Sequence, residues 1–113
     1  MQIVYSKNYD KGLKILKKKR KTSELKVLSE IIDMIKSSDN YSDLKANPLA
    51  YIYDFEELRG DKSGFSSFKL SRAGGKIRLI VRPCENIIIL EVVFISTEYY
   101  EDFDPKGVMF YDE

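Results

Sequence analysis

The sequence predicts an α+β fold: a largely antiparallel four-stranded sheet with two N-terminal helices packed on one face, in the order βααβββ. Three observations predict it. Apolar residues recur at helical spacing through residues 9–36. Over residues 65–95 the pattern changes to alternation and then to a nearly continuous apolar run. The length of 113 residues suffices for one core and leaves little room for two. Residues 1–113 are therefore expected to form a single domain, with residues 104–113 as an acidic tail.

Residues 1–6 open the chain as a short strand, with Ile3 and Tyr5 alternating with Gln2, Val4 and Ser6. Ser6 or Asn8 then caps a helix over residues 9–19. Tyr9, Leu13 and Leu16 form its apolar stripe, with Ile15 beside them, and Lys11, Lys14, Lys17 and Lys18 cover the other sides. Thr22-Ser23 offers a second N-cap. Leu25, Leu28, Ile32 and Ile35, widened by Ile31 and Met34, mark a helix to about residue 36. Residues 40–64 are the least regular stretch. Pro48 restricts Asn47 and breaks a helix, so a loop is expected, with Tyr51, Tyr53 and Phe55 packed on the sheet.

Residues 65–70 alternate, Phe68 and Leu70 opposing Ser67 and Lys69. Residues 71–75 form a hairpin loop, in which Gly74-Gly75 supplies positive φ. In the strand over residues 76–82, Ile77, Leu79 and Val81 point one way, and Lys76, Arg78, Ile80 and Arg82 the other. Pro83-Cys84-Glu85-Asn86 reads as a turn. Residues 87–95 read as a central strand, and Glu91 within it needs a cationic partner.

Composition excludes several chemistries. The chain has no histidine, so a Ser-His-Asp or Cys-His arrangement and a His-based metal site are ruled out. Catalysis falls to Lys, Arg, Tyr, Asp or Glu, with no metal and no cofactor expected. Cys84 is the only cysteine and has no internal disulfide partner. With no signal-peptide pattern and no apolar run near the roughly 18 residues of a membrane span, a reduced, cytoplasmic protein without membrane association is expected.

The net charge of +1 conceals strong segregation. Residues 1–24 carry eight basic and two acidic residues, and residues 98–113 carry six acidic and one basic. Residues 54–61 carry four acids and Arg59, whereas residues 62–82 hold six basic residues and no acid. Such asymmetry suits a polyanion or a basic partner chain. If the acidic tail folds over the basic face, it forms a built-in cover.

Lys69 and Arg78 fall on neighbouring strands of one hairpin, and their parity places them on one face. Arg72 stands at the hairpin tip and Arg82 at the far end of the strand. Glu98, Tyr99 and Tyr100 follow the last strand. This set suits phosphodiester chemistry without metal or histidine. An RNA 2′-hydroxyl attacks the adjacent phosphate when its proton is removed, the added negative charge is stabilised and the leaving oxygen is protonated. Arg78, Lys69, Tyr99, Tyr100 and Glu98 are the candidate catalytic residues. Arg72, Lys76, Arg82 and Lys62 are the candidates for binding RNA phosphates. The competing explanations are structural: a solvated strand face for Lys76, Arg78 and Arg82, an ion pair for Glu91 and aromatic packing for Tyr99 and Tyr100.

The order of elements resembles the RelE/ParE superfamily of bacterial type II toxins, which includes RelE, YoeB and HigB relatives. The matching features are Ile3-Val4-Tyr5-Ser6 leading into the basic helix, the second amphipathic helix, Leu58-Arg59-Gly60, Phe68-Lys69-Leu70, Gly75-Lys76-Ile77-Arg78-Leu79-Ile80 and the apolar last strand. They span roughly residues 1–103. The resemblance implies a toxin restrained by a cognate antitoxin. RelE-like members cleave mRNA in the ribosomal A site, whereas ParE-like members bind DNA gyrase without nuclease residues. By position, Lys69 resembles the family's strand lysine and Arg78 its phosphate-stabilising arginine. Tyr99, Tyr100 or Phe103 occupies the region of its terminal tyrosine. The chain departs from the pattern at Ser67, where some members carry a second lysine, and at Ser96-Thr97-Glu98, where a basic residue is common. An mRNA endoribonuclease is the expectation. A gyrase-binding toxin or a non-toxic interaction domain on the same fold is the alternative.

Overall fold

The structure, a computed structural model, describes residues 1–71, 77–84 and 87–95, the last seven of these by backbone alone. Of the hairpin loop predicted over residues 71–75, residues 72–75 lie outside the described residues, as does the acidic tail.

Strand β1 (Gln2–Tyr5) leads directly into helix α1 (Lys7–Lys18). Ser6 is the N-cap, its Oγ accepting from the Tyr9 N–H at 2.9 Å. Arg20, at φ 56°, ends α1 in a Schellman arrangement: the N–H of Arg20 donates to the Lys17 carbonyl and that of Lys21 to the Leu16 carbonyl. Helix α2 (Thr22–Ser37) follows. Thr22 and Ser23 lie inside it; Lys21 occupies the N-cap and makes no side-chain cap bond, because its ammonium has no acceptor to offer, and the preceding Schellman turn sets the N-cap one residue before Thr22. The Met1 ammonium donates to the carbonyls of Ile35, Lys36 and Ser38, placing a cation at the negative end of α2.

Residues 40–64, expected as loop, are largely ordered into short elements. Helix α3 (Tyr41–Ala46) is capped by Asn40 Oδ1, and helix α4 (Pro48–Ile52) by Asn47 Oδ1, which accepts from the Leu49 N–H at 2.9 Å. Pro48 does not break a helix here; it starts one. At the first helical position its missing N–H costs nothing and its fixed φ favours the turn. Strand β2 (Glu56–Glu57) and a 3-10 turn (Gly60–Lys62) complete the stretch.

Strands β3 (Ser66–Lys69), β4 (Ile77–Cys84) and β5 (Ile87–Ile95) follow. The sheet has five strands rather than the expected four, in the order β1-β5-β4-β3-β2. The addition is β2, too short to show a period and held by pairing with Ser66 and Ser67. The α+β class and the largely antiparallel sheet stand; only β1 and β5 run parallel. Pro83 and Cys84, expected in a turn, continue β4 opposite Ile88 and Ile87. Strand β5 is interior, as its apolar run implies, with β1 on one side and β4 on the other. Its register with β4 slips once: Ile80 faces Val92 and Val81 faces Leu90, leaving Glu91 as the extra residue of a bulge.

One core joins the helices to the sheet. Leu16 of α1, Leu28, Ile31, Met34 and Ile35 of α2, and Leu44 of α3 pack with Phe68, Leu70, Ile77, Leu79, Val81 and Ile88. Deep burial of such side chains contributes roughly 1.5–3 kcal/mol each. Ile15, placed beside the stripe by spacing, is instead 45% exposed. Among the described residues no helix is long and apolar enough to cross a membrane.

Candidate functional site

The β3–β4 hairpin brings the two central candidates together. Lys69 and Arg78 are direct cross-strand partners. The Leu70 N–H donates to the Ile77 carbonyl at 2.9 Å, whereas the Lys69 N–H turns away from β4 to the Tyr53 carbonyl at 2.8 Å. Lys69 and Arg78 therefore form a non-hydrogen-bonded pair, the type whose side chains lie closer. Both line a cleft of about 610 Å³ with Tyr51, Ile52, Asp54, Phe55 and Glu56.

The surroundings differ from a solvated strand face. Arg78 is only 7% exposed, and on its face Ser67 and Ile80 are fully buried. Lys69 is half-buried. A guanidinium this deep is held in place, and its charge acts at lower effective dielectric than a surface arginine's.

The rest of the lining comes from the end of α4 and the strand β2 that follows it. Tyr53 and Asp54 close that helix as a second Schellman turn: Asp54, at φ 50°, donates its N–H to the Tyr51 carbonyl, and Phe55 donates to the Ala50 carbonyl. The reversal carries Asp54 and Glu56 to the cationic pair. Two contacts brace it. The buried Tyr53 hydroxyl donates to the Glu30 carboxylate on α2, and Phe55 packs on Phe68 with ring centroids 5.0 Å apart.

Helix α3 supports the neighbouring edge. The Tyr41 hydroxyl contacts Ser66 Oγ at 2.7 Å and Glu57 at 3.3 Å. Lys45 pairs with Glu57 at 3.5 Å and stands over the Tyr41 ring. Burial pushes the Tyr41 phenol up to about 12; Glu57 adds to the rise, and the Ser66 hydrogen bond opposes it.

The remaining candidates separate. Arg82 is half-buried on the same strand, four residues from Arg78 and so about 13 Å along it, out of reach of the same phosphate. Lys62 lies in the 3-10 turn, 3.9 Å from Asp61, and does not line the cleft. Arg72, Lys76, Glu98, Tyr99 and Tyr100 lie outside the described residues. Sequence reasoning missed Asp54 and Glu56, although the acidic run over residues 54–61 beside a basic one was a signal. It also missed the exposure of Tyr51. Among the described residues no group of three or more His, Cys, Asp or Glu is placed to hold a metal ion.

No family model and no curated protein matches the chain. Solved structures do. A mutant of YafQ from E. coli is similar over 84% of this chain and 92% of its own, with 18% identity and a TM-score of 0.64. A YoeB/ParE toxin from Agrobacterium tumefaciens is similar over 85% and 99%, with 14% identity and a TM-score of 0.59. A chain of the E. coli DinJ-YafQ toxin-antitoxin complex is similar over 83% and 90%, with 21% identity and a TM-score of 0.58. The chain thus has the α+β fold of RelE/ParE-like toxins.

Proposed function

We propose that this chain is the toxin of a bacterial type II toxin–antitoxin pair, and that it is a metal-independent endoribonuclease acting on mRNA in the ribosomal A site. The observation that carries this reading is the Lys69–Arg78 pair lining one cleft together with Asp54 and Glu56. The toxin fold and a solved toxin–antitoxin complex of that fold support a cognate antitoxin as partner.

The chemistry divides between the cationic and the acidic residues of the cleft. Arg78 and Lys69 bind the scissile phosphate and stabilise the charge it gains on attack. Asp54 or Glu56 takes the proton from the 2′-hydroxyl. The new bond runs from the 2′-oxygen to phosphorus, and the bond to the 5′-oxygen breaks. A 2′,3′-cyclic phosphate and a 5′-hydroxyl result once Glu98, Tyr99 or Tyr100 donates a proton to the leaving oxygen.

A second reading, a toxin that binds a protein such as DNA gyrase, is favoured by the burial of Arg78, which at 7% exposure presents little surface to a phosphate. Induced expression in bacteria separates the two. Growth arrest with shortened, translated mRNAs supports the nuclease. Arrest with intact mRNA and a DNA-damage response supports the gyrase binder.

A further inference from the structure

We propose that Tyr51 is a base-stacking residue, receiving a nucleobase of single-stranded RNA whose phosphate sits on Lys69 and Arg78. The inference rests on the nuclease reading and adds what grips the substrate beside the reacting phosphate.

Tyr51 is 87% exposed and its neighbour Ile52 60%, both on the rim of the cleft that holds the cationic pair. One exposed tyrosine is ordinary. Here the ring makes no ring–ring contact and its hydroxyl no hydrogen bond among the described residues, and most of its surface meets solvent. The segment presenting it is nonetheless well fixed. Asn47 caps α4 at one end, the Schellman turn closes it at the other, and Tyr53 is tied to Glu30. An aromatic face held out from a braced helix is a preorganised platform.

The cleft's mixed charge narrows what it takes. A free phosphate suits Lys69 and Arg78 but gains nothing from Asp54 and Glu56. A nucleotide offers the anion to the first pair and donors, from sugar hydroxyls and exocyclic amines, to the second. Its base brings a π-face to Tyr51. The volume of about 610 Å³ falls in the roughly 300–1,000 Å³ range of ligand clefts. Only an unstacked base can reach the ring, which selects single-stranded RNA over a duplex.

The chain has no tryptophan, so Tyr51→Trp places a single indole at the rim. The probe is a short single-stranded RNA with 2′-O-methyl sugars, which removes the attacking hydroxyl; inorganic polyphosphate supplies charge without bases. The RNA is expected to quench the indole saturably, and polyphosphate to leave it unchanged. By anisotropy of labelled RNA, Tyr51→Ala is expected to bind roughly 5- to 100-fold more weakly than wild type, the usual effect of losing one stacked base. RNA binding with unchanged indole emission and unchanged Tyr51→Ala affinity overturns the stacking role and leaves the Lys69–Arg78 site standing. No RNA binding to wild type by anisotropy, with no quenching in Tyr51→Trp, overturns both.

Discussion

Lys69 and Arg78 face each other directly across β3 and β4, two cations in the closer kind of antiparallel pair. Like charges placed so destabilise a sheet, by an amount of the order of the roughly 0.2–1 kcal/mol that favourable pairs contribute. The cost is reasonable where an anion offsets it. Lys69→Gln is therefore expected to raise the urea midpoint slightly while weakening RNA binding. Adding phosphate should stabilise wild type more than the variant, a linkage that urea titrations with and without phosphate would measure. A lower midpoint for Lys69→Gln would mean that the lysine serves the fold.

Arg20 and Asp54 both occupy the left-handed position that ends a helix, where glycine is the usual residue. Arg20→Gly and Asp54→Gly should each stabilise the fold by roughly 0.5–1 kcal/mol. Their activities should part: Arg20→Gly keeps RNA cleavage, and Asp54→Gly loses some of it together with its carboxylate. Equal cleavage by the two would assign the proton transfer to Glu56.

Asn47 is the hinge between α3 and α4, capping the helix that carries Tyr51. Asn47→Ala is expected to cost about 1 kcal/mol of stability, and Asn47→Asp much less. Thermal or urea unfolding of the two would check the difference.

Burial lifts the phenols of both Tyr9 and Tyr41 from their ordinary 10.0 to about 12. Above pH 10 the unfolded chain releases these protons while the folded chain keeps them. Stability contributed by the two groups is thus whole below pH 10 and is lost as pH rises toward 12. The urea midpoint should fall over that window, and less steeply in the Tyr9→Phe, Tyr41→Phe double variant. Identical slopes would contradict the assignment.

The parts of this fold visible in the sequence were those with a period. Leu28, Ile31 and Ile35 recur over about two turns, and the alternation around Arg78 places it opposite Lys69 once the hairpin is recognised. Helices of five and six residues have no period to read, so Asn40 and Asn47-Pro48 carried the signal as caps, and Pro48 reads as a breaker unless the helix is known to begin there. Asp54 and Glu56 reach the cleft only because a non-glycine residue adopts φ 50°. Local preference disfavours that turn; the packing of Tyr53 and Phe55 imposes it. The burial of Arg78 was equally hidden, since parity assigns a side chain to a face and says nothing of what covers it.

The most direct test is cleavage of mRNA on purified, translating ribosomes by wild type and by Arg78→Ala and Arg78→Lys, each first shown to be folded. The Lys69–Arg78 mechanism requires cut mRNA from wild type and a rate at least about 100-fold lower from both variants, because lysine cannot reproduce the planar fork of the guanidinium. Cleavage at the wild-type rate by Arg78→Ala, or intact mRNA from wild type at toxic concentrations, would contradict it.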